Sequence, residues 1–193
     1  MLKDLLLKNR SYRSFNESRI VTRKELEDFI DCARITPSSV NMQPLKFYLA
    51  CEKETVSQIQ PLTKWAGLLK ETVLPPEGHH PTAFIIICMD SEVTAAVNNF
   101  QKDVGIAAQT IMLAAAEKGL GGCMIGSYNG DELAKVLNLS ENIKPMLVLA
   151  LGEPDDEIVL TELAESGNGK TAYYRKDNVH YVPKRSLKDL IIN

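Results

Sequence analysis

Hydrophobic positions along this chain fall into helical periods in some stretches and unbroken runs in others. Leu2 to Lys8 is a short amphipathic stretch that predicts a helix, and polar residues follow it to Asn16. Thr22-Arg23-Lys24-Glu25 has the form of a capping box, in which Thr22 bonds the amide three residues on and Glu25 reaches back. Leu26, Phe29, Ile30 and Ala33 then recur at helical spacing, and Pro37 stops that helix. "TPSSVNMQP" (36–44) is a loop by composition, and "LKFYLAC" (45–51) a strand. Residues 53–70 are helical in pattern with an interruption at Pro61, and 73–81 form an irregular loop. "TAFIIICM" (82–89) and "MLVLALG" (146–152) are continuous apolar runs that predict buried strands. Residues 104–116 carry no charge and predict a helix apolar around most of its circumference, buried in a core or under a partner subunit. "LGGCMIG" (120–126) reads as a short strand into a turn, and Asp131 to Leu137 as a small helix. Residues 153–185 lack clear periodicity. Ser186 to Ile192 predicts a last short helix, with Ser186 and Asp189 spaced as a capping box. There is no repeat, low-complexity tract or linker. The expectation is one α+β domain, residues 1–193, with a sheet wrapped by helices.

Composition narrows the class. The 193 residues are 45% hydrophobic and 24% charged, with a net charge of −3, which gives no reason to expect nucleic acid or an anionic membrane as partner. Cys32, Cys51, Cys88 and Cys123 are far apart and form no Cys-x-x-Cys pair, as in a reduced, cytoplasmic protein without a disulfide framework or a zinc site. The first fifteen residues are too charged for a signal peptide, and no apolar stretch is long enough for a membrane span.

Several stretches are candidates for chemistry. "AESGNGKT" (164–171) fits a loose phosphate-binding P-loop, but its sequel, "AYYRKDNVHYVP", is broken by Asp177-Asn178 and Pro183. A P-loop needs a long helix there, whose dipole and free amides hold phosphate. Asn168 between two glycines predicts a plain turn instead. Arg10 and Arg13 are three apart and share a face if the chain there forms a helical turn; their guanidinium forks suit a phosphate, and Ser11 adds a hydroxyl. Lys184 and Arg185 stand just before the Ser186 helix start. Ser38, Ser39, Asn41 and Gln43 offer donors and acceptors for the polar edge of a flat heterocycle. Taken singly, these read as solvated basic faces and a plain connection. His79 and His80 are adjacent in a loop without a cluster of other ligands, so no metal is expected. Trp65 and Tyr128 are candidates for pocket lining or for core packing.

The combination is more specific. "NRSYRSF", "ITPSSVNMQP", "DVGIAAQTIMLAAAEKGLGGCMIGSY" and "VPKR", in that order and at this spacing, resemble the FMN-dependent nitroreductase family over about residues 5 to 190. The resemblance implies a three-layer αβα fold with a central, mainly antiparallel sheet, in an intertwined homodimer with FMN at the interface. It implies that residues from about 153 to 193 form an extension reaching the partner subunit. By analogy, Arg10, Ser11 and Arg13 hold the FMN phosphate and the ring's polar edge, and Lys184 and Arg185 close on the phosphate. Ser38, Ser39, Asn41 and Gln43 resemble the loop that contacts the flavin from the partner. Met124, Ile125, Gly126 and Ser127 resemble the segment along the isoalloxazine near N5. Many members carry arginine where this chain has Asn9. The implied chemistry is hydride transfer from NADH or NADPH through the flavin to a nitroaromatic or quinone by ping-pong turnover, with no catalytic side chain required. Other readings are a flavin storage or sensing protein without turnover, and a reductive dehalogenase or flavin-fragmenting relative.

Overall fold

The computed structural model of the chain describes residues 1–69, 72–165 and 169–193. Its centre is β3 (Ala83–Asp90), eight residues that are all buried. Side chains alternate across a strand, so a strand apolar from Ala83 to Met89 needs apolar cover on both faces. Ala83, Ile85 and Ile87 point into one core with α2 (Arg23–Arg34) and α4 (Gln101–Glu117). Phe84, Ile86 and Cys88 point into a second core with α3 (Lys53–Ile59) and α5 (Gly130–Val136). The result is three layers, helices–sheet–helices.

The sheet is antiparallel throughout. β2 (Leu45–Ala50) flanks β3 on one side and β5 (Ile143–Pro154) on the other. The far side of β5 is shared end to end by β4 (Gly121–Ile125) and β1 (Phe15–Asn16). At 12 residues β5 is longer than its neighbours, which lets it carry both. α1 (Leu2–Lys8) lies against α4 and buries none of its residues.

α4 shows how a uniformly apolar helix acquires a direction. Val104, Ala107, Ala108, Ile111, Met112 and Ala115 form the buried stripe, at the i, i+3, i+4, i+7 spacing of one helix face. Gly105 and Ile106 are exposed, and Gln109, Thr110 and Leu113 are half-buried. The helix is therefore not covered all round within one chain.

Three expectations need correction. The 53–70 helix stops at Ile59; a 3-10 turn follows at Gln60–Leu62, because Pro61 has no amide to continue the ladder. Thr63 is then extended, held by a bridge to Tyr128, and Lys64 N–H donates to Ser127 O. The 186–192 helix is a single 3-10 turn, Leu187–Asp189, with Ser186 capping it as expected. The aperiodic region folds as a small sheet, in which β6 (Glu157–Glu162) runs parallel to β8 (Val179–Lys184) and β7 (Tyr174–Lys176) antiparallel to it. The turn between β7 and β8 is Asp177-Asn178, both at positive φ, the two-residue hairpin form. Tyr174 and Tyr181 stack across it at 5.1 Å.

The start of α2 is fixed by charge as well as capping. The Glu25 carboxylate accepts from the Thr22 amide and hydroxyl and pairs with Arg19, while Thr22 Oγ1 accepts from Glu25 N–H. The Arg19 bond, with those from Thr22, holds the Glu25 carboxyl down at about 2, below its ordinary 4.5. Stability from this group is full above the unfolded value and is lost as pH falls through the folded one. Glu25→Gln is therefore expected to lower stability to urea at neutral pH. The gap to wild type should close between about pH 4.5 and 2. An equal gap at both ends of that range would refute the assignment.

Candidate functional site

After α1 the chain does not continue as a helix. Asn9 is extended, Ser11 bridges Gly122 in parallel, and Tyr12 N–H donates to Gly122 O at 3.0 Å. The helical turn that would have set Arg10 and Arg13 on one face is absent, because Tyr12 N–H is bonded at the edge of β4. Gly121 permits the approach, since a Cβ there would lie 2.4 Å from the Tyr12 ring, whereas Gly122 makes room for β5, a Cβ there lying 2.0 Å from Ala150 O.

This segment forms one wall of a cavity of about 360 Å³, within the range of small-molecule sites. Asn9, Arg10, Ser11 and Arg13 line it from the N-terminal side. α4 contributes Gln109 and Met112, and β4 contributes Gly122 and Met124. The small sheet closes it with Ile158, Tyr173, His180, Val182 and Lys184. Of the residues singled out from sequence, Arg10, Ser11, Arg13, Met124 and Lys184 thus meet here, from opposite ends of the chain.

The cavity is cationic. Arg10, Arg13 and Lys184 face it. Arg10 Nη2 donates to Leu6 O at 2.6 Å, and Arg13 Nη1 donates to Ser11 O at 3.1 Å. The Arg13 guanidinium lies 4.9 Å over the Tyr173 ring, and Nη1 is 3.2 Å from His180 Nε2. His180 is 2% exposed, and burial, with the charges of Arg13 and Arg175, pushes its pKa down to about 4. It is neutral at pH 7 and adds no charge. The nearby Asp156, whose carboxyl is raised by burial, is paired with Arg175. Arg10 Nε and Arg13 Nε are buried without an acceptor among the described residues. Cationic side chains together with Met112, Met124, Ile158 and Val182 in one lining suit a ligand that combines an anionic group with a flat apolar body. FMN has that form.

Other predicted residues lie elsewhere. Ser38, Ser39, Asn41 and Gln43 stand in a loop pinned to the start of α4. The buried Asp103 carboxylate accepts from Ser38 Oγ at 2.6 Å and from Ser39 N–H at 3.1 Å. Val40, Asn41 and Gln43 are all at positive φ. Ser38 and Gln43 border a separate hollow of about 270 Å³ that also touches Asp103 and Ala107. At about 100° per residue, positions 103 and 107 lie on a different side of α4 from 109 and 112. One chain therefore holds the two groups apart. Ile125 turns into the second core, Gly126 and Ser127 are exposed beyond the cavity, and Arg185 is exposed outside it.

Trp65 and Tyr128 pack on the second core, Trp65 donating to Thr63 Oγ1 and meeting Phe15 edge-on. His79 Nδ1 is 2.7 Å from Asp155, and His80 Nδ1 is 2.9 Å from Glu17, so the two rings diverge. The P-loop-like stretch follows a strand as it should, but β7 and not a helix comes after it. The turn expected at Asn168 lies outside the described residues. Sequence reasoning missed Asp103, Tyr173 and His180. The Asp-Asn hairpin signal at 177–178 was available, and it places Tyr174 opposite Tyr181 and so brings His180 beside residue 175.

Asp103→Ala removes two bonds to a buried carboxylate and leaves the strained loop unpinned. It is expected to cost about 2 kcal/mol and to speed amide exchange at Ser39 and through 40–43. Unchanged exchange there would show that Asp103 does not hold the loop.

The matched family model is that of the nitroreductase family, over residues 6–153. A Methanothermobacter thermautotrophicus protein with the provisional name NADH dehydrogenase/NAD(P)H nitroreductase is 28% identical over 149 residues, 75% of this chain and 73% of its own. A Bacillus subtilis FMN reductase (NADPH) is 25% identical over 171 residues, 78% of this chain and 65% of its own. Among solved structures, a nitroreductase family protein from Clostridium difficile superposes with a TM-score of 0.63 at 25% identity, covering 79% of this chain and 84% of that one.

Proposed function

The chain belongs to the nitroreductase family, and from that premise we propose that it is an FMN-dependent oxidoreductase that passes hydride from NADH or NADPH to an electron-poor acceptor, a nitroaromatic or a quinone. The observation that carries this reading is the cavity that Arg10, Ser11, Arg13 and Lys184 line together with the apolar Met112, Met124, Ile158 and Val182. Support also comes from the FMN reductase among the relatives. FMN, when bound, supplies the two-electron carrier between nicotinamide and acceptor.

The protein's part is placement. Arg10, Arg13 and Lys184 neutralise the phosphate, with Ser11 as a further donor. Met112 and Met124 give the ring a dry wall. Ile125, Gly126 and Ser127 offer backbone groups where β4 ends, and Arg185 adds a second charge near Lys184. No titratable side chain is required to act as acid or base.

The functional unit in this proposal is a cytoplasmic homodimer of one-domain chains. Ser38, Ser39, Asn41 and Gln43 then serve the partner's cavity, which accounts for their separation from the cavity of their own chain. The uncharged outer side of α4 and the exposed Leu2, Leu6 and Leu7 of α1 supply an apolar face for it. Beyond the small sheet, Leu187, Leu190, Ile191 and Ile192 are exposed and are the part of the extension left to reach the second copy.

Purified protein is expected to carry releasable FMN and to oxidise NADH or NADPH when a nitroaromatic or quinone is added. Flavin without turnover would make it a storage or sensing protein, and failure to take up FMN would end the reading. Sedimentation should give a dimer; a monomer with full flavin occupancy would contradict the shared site. Arg10→Ala should weaken FMN retention about tenfold or more, whereas Lys170→Ala, outside the cavity lining, should leave it unchanged. Equal retention in both variants would remove Arg10 from the site.

A further inference from the structure

Arg13 stands on an irregular stretch, and an arginine side chain has many rotamers to lose before it can hold an anion in a fixed geometry. We propose that His180 and Tyr173 are positioning residues that hold the Arg13 guanidinium in the orientation that receives the flavin phosphate. The proposal rests on the FMN reading of this cavity and extends it to residues of the C-terminal sheet, beyond the stretch that the family model matches.

The geometry is specific. Arginine has only donors, so at 3.2 Å His180 Nε2 must be the acceptor, and its proton sits on Nδ1. Tyr173 covers one face of the guanidinium at 4.9 Å and also packs on the His180 ring at 5.2 Å. Both groups thus restrain one arginine, from its edge and from its face. Ser11 O takes a further bond from Nη1. Nε is buried without an acceptor among the described residues.

The choice of histidine has a physical reason. A carboxylate would orient a guanidinium equally well but would cancel its charge and weaken its hold on an anion. Neutral imidazole orients the fork and leaves the charge intact. Asp156 pairs with the Arg175 side chain and accepts from the Arg13 backbone amide, so among the described residues no ion pair is formed by the Arg13 guanidinium itself. β8 brings His180 here through its pairing with both neighbours, opposite Ile158 of β6 and Arg175 of β7. The small sheet is thereby the part that orders Arg13.

Fluorescence titration of flavin-stripped protein with FMN, and in parallel with riboflavin, which lacks the phosphate, tests this. His180→Leu is expected to weaken FMN binding about tenfold and to leave riboflavin binding unchanged. His180→Gln, whose amide oxygen can accept from Arg13, should recover most of the loss. In an Arg13→Ala background His180→Leu should have no further effect. Tyr173→Leu, at a half-buried position, supplies a second variant should His180→Leu fail to fold, and should reduce the preference for FMN over riboflavin several-fold. A preference unchanged in the folded variants, or an equal loss for both flavins, overturns the role of His180 and Tyr173 while leaving the FMN reading in place. A wild type that binds riboflavin as tightly as FMN ends both.

Discussion

β3 has to be covered on both faces, and most of the architecture follows from that constraint. Eight successive buried residues cannot lie at an edge or under one layer. Each face receives a pair of helices, α2 with α4 and α3 with α5, and β2 and β5 take up its backbone groups. Burial of each large apolar side chain contributes roughly 1.5–3 kcal/mol, so Phe84, Ile85, Ile86 and Ile87 together outweigh any single polar contact in the molecule. Polar chemistry is thereby pushed to the margin of the sheet.

The cavity lies at that margin. β4 has β5 on one side only, and its other edge meets the N-terminal segment through Ser11 and Tyr12. Gly121 lets that segment come close, so that Arg10 and Arg13 line one cavity with Met112 and Met124. The cations are set by an edge pairing and the apolar wall by the helix layer, so one seam supplies both halves of the ligand chemistry. The small sheet closes the seam with residues from the far end of the chain, His180 and Lys184 among them.

The loop at 38–43 follows a different logic. It is strained at three positions and anchored by one buried carboxylate. Such strain persists where surrounding structure over-determines it and is concentrated at functional sites. In a shared-site dimer, Asp103 fixes a loop for the second cavity while Gln109 and Met112, on another side of the same helix, serve the first. A single helix, uncharged over residues 104–116, then connects both sites and the apolar face between them.

The sequence by itself determined the sheet-and-helix class, the buried strands at β3 and β5, the capped start of α2, and the cluster of motifs that marks the family. Those signals are local: an apolar run, a capping box, a residue order. It also held candidate cations at 10, 13 and 184, because charge beside small polar residues is visible without a fold. Tertiary structure decided which of them meet. In place of a helical turn at Arg10, the chain pairs with the edge of β4 at Gly122. β6 and β8 do not alternate cleanly between apolar and polar residues and β7 has only three residues, so the small sheet was hidden, and with it Tyr173 and His180. Their contacts with Arg13 join residues up to 167 positions apart, and no local pattern encodes a contact between segments that only folding brings together.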